Sequence, residues 1–541
     1  MNILWMTRPR GGGGVRLASA VLLALAVFAT GCTSANSDGP KSESRAVPTG
    51  TDAQIANLTW GVASGPRSLD FNHAFDSVSW IVWGELAEPL VTVDSKGKVI
   101  PALASSWNAT PEKVVFTLQP DVTFTDGAPV TAADVVWSLD RISDPKVASE
   151  FASFWGNVSS VEATASDEVT VTLKEPDSTF LFSMRVPRIY QKAAGLQAGD
   201  GFGTTPGSVV GTGPYEADSF SPATGATMTR YDGYWGTKPT AKKVDVKVIS
   251  DPDTLRLAVQ SGEVDGTFDV PLASATAWDK MDTATTIYGP STGMNALLLD
   301  TTKPPFNDVH ARRAVAYSVD RAGLVKALYN GHGTPQQILA PELLWANHAS
   351  DEQVDEFVSG LPDLGLDLGK AKAELAKSAT PDGFSFVAYA PAEFPQYAKM
   401  LQVLKQSLSE LNITVDIKQV PLASYVGRIT GKDKDPLSVT TYGAVSADPL
   451  GGLRTVLSSG QSTYAPPEMT DLLSEYQRAP KDRQLDIAKT VLTQLSDDMP
   501  IVPISTDDVA LALNNKYVYT REFTSWYGTG EEWAHSIRVA E

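Results

Sequence analysis

Cysteine, histidine and basic charge are all scarce in this chain, and each shortage removes a class of function. Cys32 is the only cysteine among 541 residues. A disulfide framework and a cysteine pair for zinc are therefore both excluded. The five histidines form no H-E-x-x-H, and no EF-hand loop is present, so the sequence carries no ordinary zinc or calcium motif. A Walker A string is also missing, and Gly211 and Gly213 lack the third glycine of a dinucleotide loop. Lys and Arg number 44 against 63 Asp and Glu, giving a net charge of −19 and a pI near 4.8. Such a balance argues against nucleic acid or an anionic membrane surface as partner of the folded part. The plainer meaning of the acidity is solubility.

What remains is ample for a large core. At 42% hydrophobic content the chain is expected to hold two or three domains. The first residues are not expected to belong to them. Arg8, Arg10 and Arg16 make a basic opening, and residues 17–29 are apolar but too short to span a membrane comfortably. Ala29-Thr30-Gly31-Cys32 resembles a bacterial lipoprotein cleavage box, although Ala29 stands where leucine is commoner. That resemblance implies cleavage before Cys32 and a diacylglycerol thioether on its sulfur, with several acyl chains making a stable anchor. Residues 33–52, rich in Ser, Thr, Gly, Pro and charge, read as a flexible tether.

The clearest folded unit lies at 103–142. Val114-Val115-Phe116-Thr117-Leu118 is a β-branched and aromatic strand, and Asp126-Gly127 a turn. Thr131 then precedes Asp134 by three residues, a capping-box pattern, and Val135, Leu139 and Ile142 give the following helix one apolar face. Further strands are expected at 58–62, 169–173, 244–248, 294–299 and 413–417. Helices are expected after Asp251-Pro252, after Asp320-Arg321, over 397–411, and at 469–476 and 485–495. Strand and helix alternate without internal repeat, which predicts an α/β protein. Crossings of the chain near 295–305 and 503–508 predict a hinge between two bodies.

These strings also resemble a family. LA-x-SW, F-x-L, F-x-DG-x-P-x-T-A-x-DV and R-I occur in order within 103–142. They are followed by GTGPY at 211–215, a YW turn at Tyr234-Trp235, QSGEVD at 260–265 and PPF-x-D with Arg312, Ala314 and Asp320-Arg321. Together they resemble the large extracytoplasmic solute-binding proteins of ABC importers, the oligopeptide/dipeptide-binding family. Gln119 departs from it where a basic residue is usual, and Phe71 where the opening SLD string continues with proline. The resemblance implies a type II periplasmic-binding-protein-like fold, with two lobes around a cleft and an additional smaller domain. The divisions it implies are a signal peptide at 1–31, a tether at 32–52, lobe I at 53–90, 208–300 and 506–541, the small domain at 91–207 and lobe II at 301–505. It implies no catalysis, cofactor or metal, a monomer on the outer face of the cell membrane, and permease subunits as partners.

Candidate site residues follow from both readings. Residues 289–293, GPSTG, fit the G-x-S-x-G elbow, but the segment after them reads as strand where that motif needs a helix. Carboxylates are abundant, yet spacing singles out no glycosidase pair. Trp107, Trp137 and Trp235 sit in structural strings and are expected to pack. Phe75, Trp80, Tyr389, Tyr442 and Trp526 lie in expected cleft loops, where rigid amphipathic rings bury area at small entropic cost, and Asp76 and Asp448 accompany them. Peptide-binding members of the family hold the ligand's α-ammonium on an aspartate three positions before the acid of a D-x-x-[DE]-P loop. Here that position is Val445, before Asp448-Pro449. An apolar side chain does not offset the desolvation of an ammonium. Asp448 or Asp76 can substitute, or the solute lacks an amino terminus. A peptide, a sugar, an opine-like compound or another organic solute all stay open. So do a secreted lipoprotein hydrolase using Ser291 or a carboxylate pair, and a chaperone or sensor on the same fold.

Overall fold

The structure is a computed structural model that describes residues 47–541 except Phe75, 444–446 and 526–531. Its largest sheet has seven strands in the order 284–289, 509–514, 266–267, 58–62, 243–248, 225–230 and 215–221. Leu58–Val62 is buried at every position and lies parallel to both neighbours, Lys243–Val248 and Gly266–Thr267. A strand covered on both faces needs apolar residues throughout, which is why LTWGV does not alternate. Helix Pro252–Ser261 packs Leu255, Ala258 and Val259 beneath this sheet. Asp251 accepts from Thr254 N at 2.8 Å to start it, and Gly262 at φ 77° stops it.

Residues 104–109, 113–118, 168–173 and 158–165 form a separate antiparallel sheet of four strands. Helix Ala132–Ser143 lies on it with Val135, Leu139 and Ile142 fully buried against Phe116, Val169 and Val171. Thr131 N and Oγ1 both donate to Asp134 Oδ2, at 3.0 and 2.5 Å, which fixes the helix start. Trp137, Trp107 and Trp235 pack on the same core. A Cβ at Gly195 would stand 1.9 Å from the Trp137 ring, so the neighbouring helix approaches only because that residue has no side chain.

This unit leaves and rejoins the large sheet at one buried carboxylate. Glu88 accepts from Tyr234 OH and Trp235 Nε1, each at 2.8 Å, and its own N–H donates to Thr212 Oγ1 at 3.1 Å. Ile189 N donates to its carbonyl at 3.0 Å. Beside it, a Cβ on Gly213 would stand 2.3 Å from the Glu85 carbonyl oxygen, so GTGPY needs its glycine for close approach.

A second four-stranded sheet, ordered 333–335, 501–507, 294–299 and 437–442, carries the rest, with Ser385–Pro391 and Thr414–Val420 paired in parallel nearby. Helices Val309–Tyr317, Arg321–Tyr329 and Pro395–Ser409 cover one face, and Lys481–Asp498 the other side of the body. Met294–Leu299 is hydrogen-bonded on both edges inside this sheet. The expected crossing at 295–305 is therefore corrected: the chain passes between sheets at 290–293, and returns at Asp508 between Ile501–Asp507 and Val509–Asn514. An all-apolar strand looks the same to the eye in either place, and only pairing decides which sheet owns it. No helix among the described residues is long and apolar enough to cross a membrane. The expected leader and most of the tether fall outside the described residues.

Burial pushes both Glu88 and Glu85 up to about 8, with the charge of Glu532 adding to the rise. A carboxyl raised in the fold holds its proton more tightly than in the unfolded chain, so stability falls as pH climbs from about 4.5 through about 8. Urea unfolding between pH 5.5 and 8.5 is expected to show a loss on the order of 1–3 kcal/mol. Glu88→Gln and Glu85→Gln should each flatten that slope, and an unchanged slope would contradict the assignment.

Candidate ligand-binding cleft

Two short segments join the sheets, and both are braced. Thr292 N donates to Ser525 Oγ at 3.1 Å, and Ser525 N to the Pro290 carbonyl at 3.0 Å. Ser291 Oγ accepts from Gly293 N at 2.9 Å. GPSTG thus links strand to strand, without the strand-to-helix turn that exposes a serine nucleophile. At the other segment Asp508 N donates to the His332 carbonyl. The His332 ring stacks on Tyr288 with centroids 3.5 Å apart, and Asp279 takes the Tyr288 hydroxyl at 2.8 Å and stands 3.7 Å from His332 Nε2.

Where these segments enter the second sheet, its strands end in polar residues. Thr441 Oγ1 donates to Asn295 Oδ1 at 2.6 Å, Tyr397 OH donates to Thr441 Oγ1 at 3.0 Å, and Asn295 Nδ2 donates to Tyr329 OH at 3.2 Å. Asp507 joins this group: its carboxylate takes a bond from Asn295, and its charge pushes up the phenols of Tyr329 and Tyr397. Burial raises Asp507, and burial together with the Asp507 charge lifts Asp508 to about 6.

Opposite, the small sheet's unit meets the second body directly. Ser178 N donates to the Gln477 carbonyl at 2.7 Å, Asn347 Nδ2 to the Gly97 carbonyl at 2.9 Å, and Arg454 Nη2 to Thr179 Oγ1 at 3.2 Å. Val93 and Phe182 pack against Leu344 and Ala447 in the same contact. The two bodies therefore touch at the two joining segments and again at this latch.

Sequence-named residues fall into three groups. Phe75, Trp526, Val445 and the lipidation candidate Cys32 lie outside the described residues. Trp80 stacks on Trp83 with centroids 5.0 Å apart and receives Arg185 and Arg188 over its ring at 5.5 and 5.6 Å. Tyr389 is half-buried beneath the Arg428 guanidinium, 3.6 Å from its centroid, and Arg428 pairs with Asp435 at 2.7 Å. The remaining three are committed to the fold. Asp76 caps helix Ser77–Leu86 through Ser79 N at 2.9 Å and pairs with Arg67 at 2.9 Å. Tyr442 OH donates to the Leu339 carbonyl at 3.1 Å. Asp448, 2% exposed, accepts from Tyr476 OH at 2.9 Å and Leu450 N at 3.0 Å, with Arg454 at 3.7 Å. Among the described residues no cluster of His, Cys, Asp and Glu could hold a metal ion.

The sequence reading missed Asn295, Tyr329, Thr441 and Asp507. A signal was present: an amide inside the apolar run MNALLL, and paired acids directly after the apolar IVPIST. Asp448→Ala should expose how far that aspartate serves the fold. It leaves Arg454 and Tyr476 without their partner, and urea unfolding is expected to show a loss of about 2–4 kcal/mol. A variant as stable as the parent would free Asp448 for another role.

Comparison with known proteins gives consistent results. The family model described as bacterial extracellular solute-binding proteins, family 5 Middle, matches residues 98–464. Glutathione-binding protein GsiB of Escherichia coli K12 is 25% identical over 465 residues, covering 82% of this chain and 88% of its own. Among solved structures, DppA of Helicobacter pylori in complex with peptide STSA is 20% identical with a TM-score of 0.69, covering 91% of this chain and 99% of that one. AgaA of A. tumefaciens in complex with agropinic acid is 23% identical with a TM-score of 0.68, covering 90% and 99%. The fold is that of the type II periplasmic binding proteins.

Proposed function

Since the chain belongs to the bacterial extracellular solute-binding proteins of family 5, we propose that it is the receptor of an ABC importer, capturing a peptide between its lobes and delivering it to a membrane permease. The family match over 98–464 carries the reading. The fold supplies a mechanism. Two bodies joined by short segments at 290–293 and Asp508 move as rigid units, and a solute that touches both favours the closed arrangement. The latch at Ser178, Asn347 and Arg454 is the contact that such closure makes and breaks. Trp80 and Tyr389, together with Phe75 and Trp526, are the proposed ring-bearing walls. An acylated Cys32 would hold the receptor, as a monomer, at the outer face of the membrane, with the tether giving it reach.

A non-peptide solute is the second reading, and a specific observation favours it. The family's ammonium-binding position is Val445, and the nearby Asp448 is occupied by Tyr476, Leu450 N and Arg454. AgaA, on this fold, was solved with agropinic acid, whereas GsiB is named for glutathione. A hydrolase built on Ser291 has the weakest support, because its segment joins two strands.

Full-length Cys32→Ser protein should show solute-dependent tryptophan fluorescence and a higher melting temperature, with the solute recovered unchanged by mass spectrometry. Native mass spectrometry of protein from its own host should show a co-purifying peptide, and a sugar or opine mass would select the second reading. Hydrolysis of the bound solute that Ser291→Ala abolishes would overturn the receptor reading.

A further inference from the structure

We infer that Asp507, with Asn295, Tyr329 and Tyr397 around it, is the cation subsite of the cleft and takes a protonated amine of the solute; this rests on the receptor reading above. The chain places the group where both bodies meet. Asp507 closes strand Ile501–Asp507, one residue before the chain returns to the large sheet, and a Cβ on Gly293 in the other joining segment would lie 3.6 Å from its Oδ1. A ligand held there touches both joining segments at once.

The chemistry of the group suits an ammonium and not an anion. Thr441 and Tyr397 pin the amide of Asn295 so that Oδ1 faces Thr441 and Nδ2 faces Tyr329. That leaves the Asp507 carboxylate and two phenolic oxygens as acceptors for the three hydrogens of an ammonium. No lysine, arginine or histidine pairs with Asp507 among the described residues. His332, whose carbonyl accepts from Asp508 N, has its ring stacked on Tyr288 and turned to Asp279. Asp508 adds a second negative charge beside it. An independent feature points the same way. Ser505, 1% exposed, is paired in register with Asn295, so the two side chains share a face, yet its hydroxyl has no partner among the described residues. A buried hydroxyl left open beside an uncompensated carboxylate is what a site awaiting a polar solute presents.

Elimination narrows the choice further. Of the acids named from sequence, Asp76 is held by Arg67 and the helix start, and Asp448 by Tyr476 and Arg454. Asp507 has no such counter-charge among the described residues, and the rise in its pKa through burial is the cost an incoming cation would remove.

The test uses full-length Cys32→Ser protein, isothermal titration calorimetry and a fixed panel at up to 1 mM: trialanine, N-acetyl-trialanine, reduced glutathione, spermidine, sucrose and maltotriose. An amine-bearing probe is expected to bind, with at least tenfold weaker binding to Asp507→Asn. Trialanine should exceed its N-acetyl form by a similar factor, and N-acetyl-trialanine should not distinguish the two proteins. Thr441→Ala, which frees the Asn295 amide, should weaken the amine threefold or more, and it serves if Asp507→Asn fails to fold. Equal amine binding by Asp507→Asn and parent, or equal binding of the two tripeptides, would overturn the assignment. So would binding confined to sucrose or maltotriose, or no amine binding at 1 mM. The receptor reading fails separately, if neither the panel nor the small-molecule fraction of the host changes the tryptophan fluorescence.

Discussion

An acid at 2% exposure is costly to bury, and in this protein Glu88 offsets part of that cost by drawing two distant parts of the chain onto itself. Tyr234 and Trp235 donate to its oxygens, and Thr212 receives its N–H. Glu88 and the GTGPY and YW strings are therefore one structural device, read in pieces because its parts are up to 147 residues apart. Through it the small antiparallel unit leaves the large sheet after Glu88 and rejoins it at Thr212 with a fixed orientation. Everything the small unit contributes at the cleft, including Trp80's neighbours Arg185 and Arg188 and the latch residues Thr179 and Phe182, inherits its position from that junction.

The cleft has the opposite physical character. Its latch consists of a few hydrogen bonds and a small apolar contact, each hydrogen bond worth roughly 1 kcal/mol net. Such a contact leaves open and closed arrangements close in free energy, which is the condition under which a solute of modest differential affinity moves the population. The joining segments, by contrast, are braced by Ser525, His332 and Tyr288.

Legibility in the sequence followed the range of the interactions. Local signals read correctly: the Thr131–Asp134 box, the Asp251-Pro252 start and Gly262 stop, and the apolar face of Val135, Leu139 and Ile142 all appear as expected. Each depends on residues within one or two turns. The ownership of Met294–Leu299 is not legible because an apolar strand carries no mark of its partners, and those partners lie far along the chain at 437–442 and 501–507. Groupings of polar side chains are hard to read for the same reason. Asp448 invites a ligand role by its place in a DP loop, but Tyr476 and Arg454 arrive from separate helices to claim it. Asn295, Tyr329, Tyr397 and Thr441 come from four elements and become a group only through the sheet register and the helices laid on it.

The two acids that end the second sheet illustrate what folding alone does not ask for. A chain selected only for stability gains by pairing a half-buried carboxylate or replacing it with an apolar residue, because an uncompensated charge costs several kcal/mol. Asp448, Asp76 and Asp435 obey that logic, each with an arginine beside it. Asp507 and Asp508 do not: no arginine or lysine pairs with either among the described residues, and the charge of Asp507 adds to the rise at Asp508 where the chain crosses between bodies. Elsewhere in the molecule the buried acid Glu88 takes bonds from Tyr234 OH and Trp235 Nε1, whereas Asp507 takes one from Asn295 and its charge acts on the phenols of Tyr329 and Tyr397. That difference separates a carboxylate that organises structure from one left ready for a partner outside the chain.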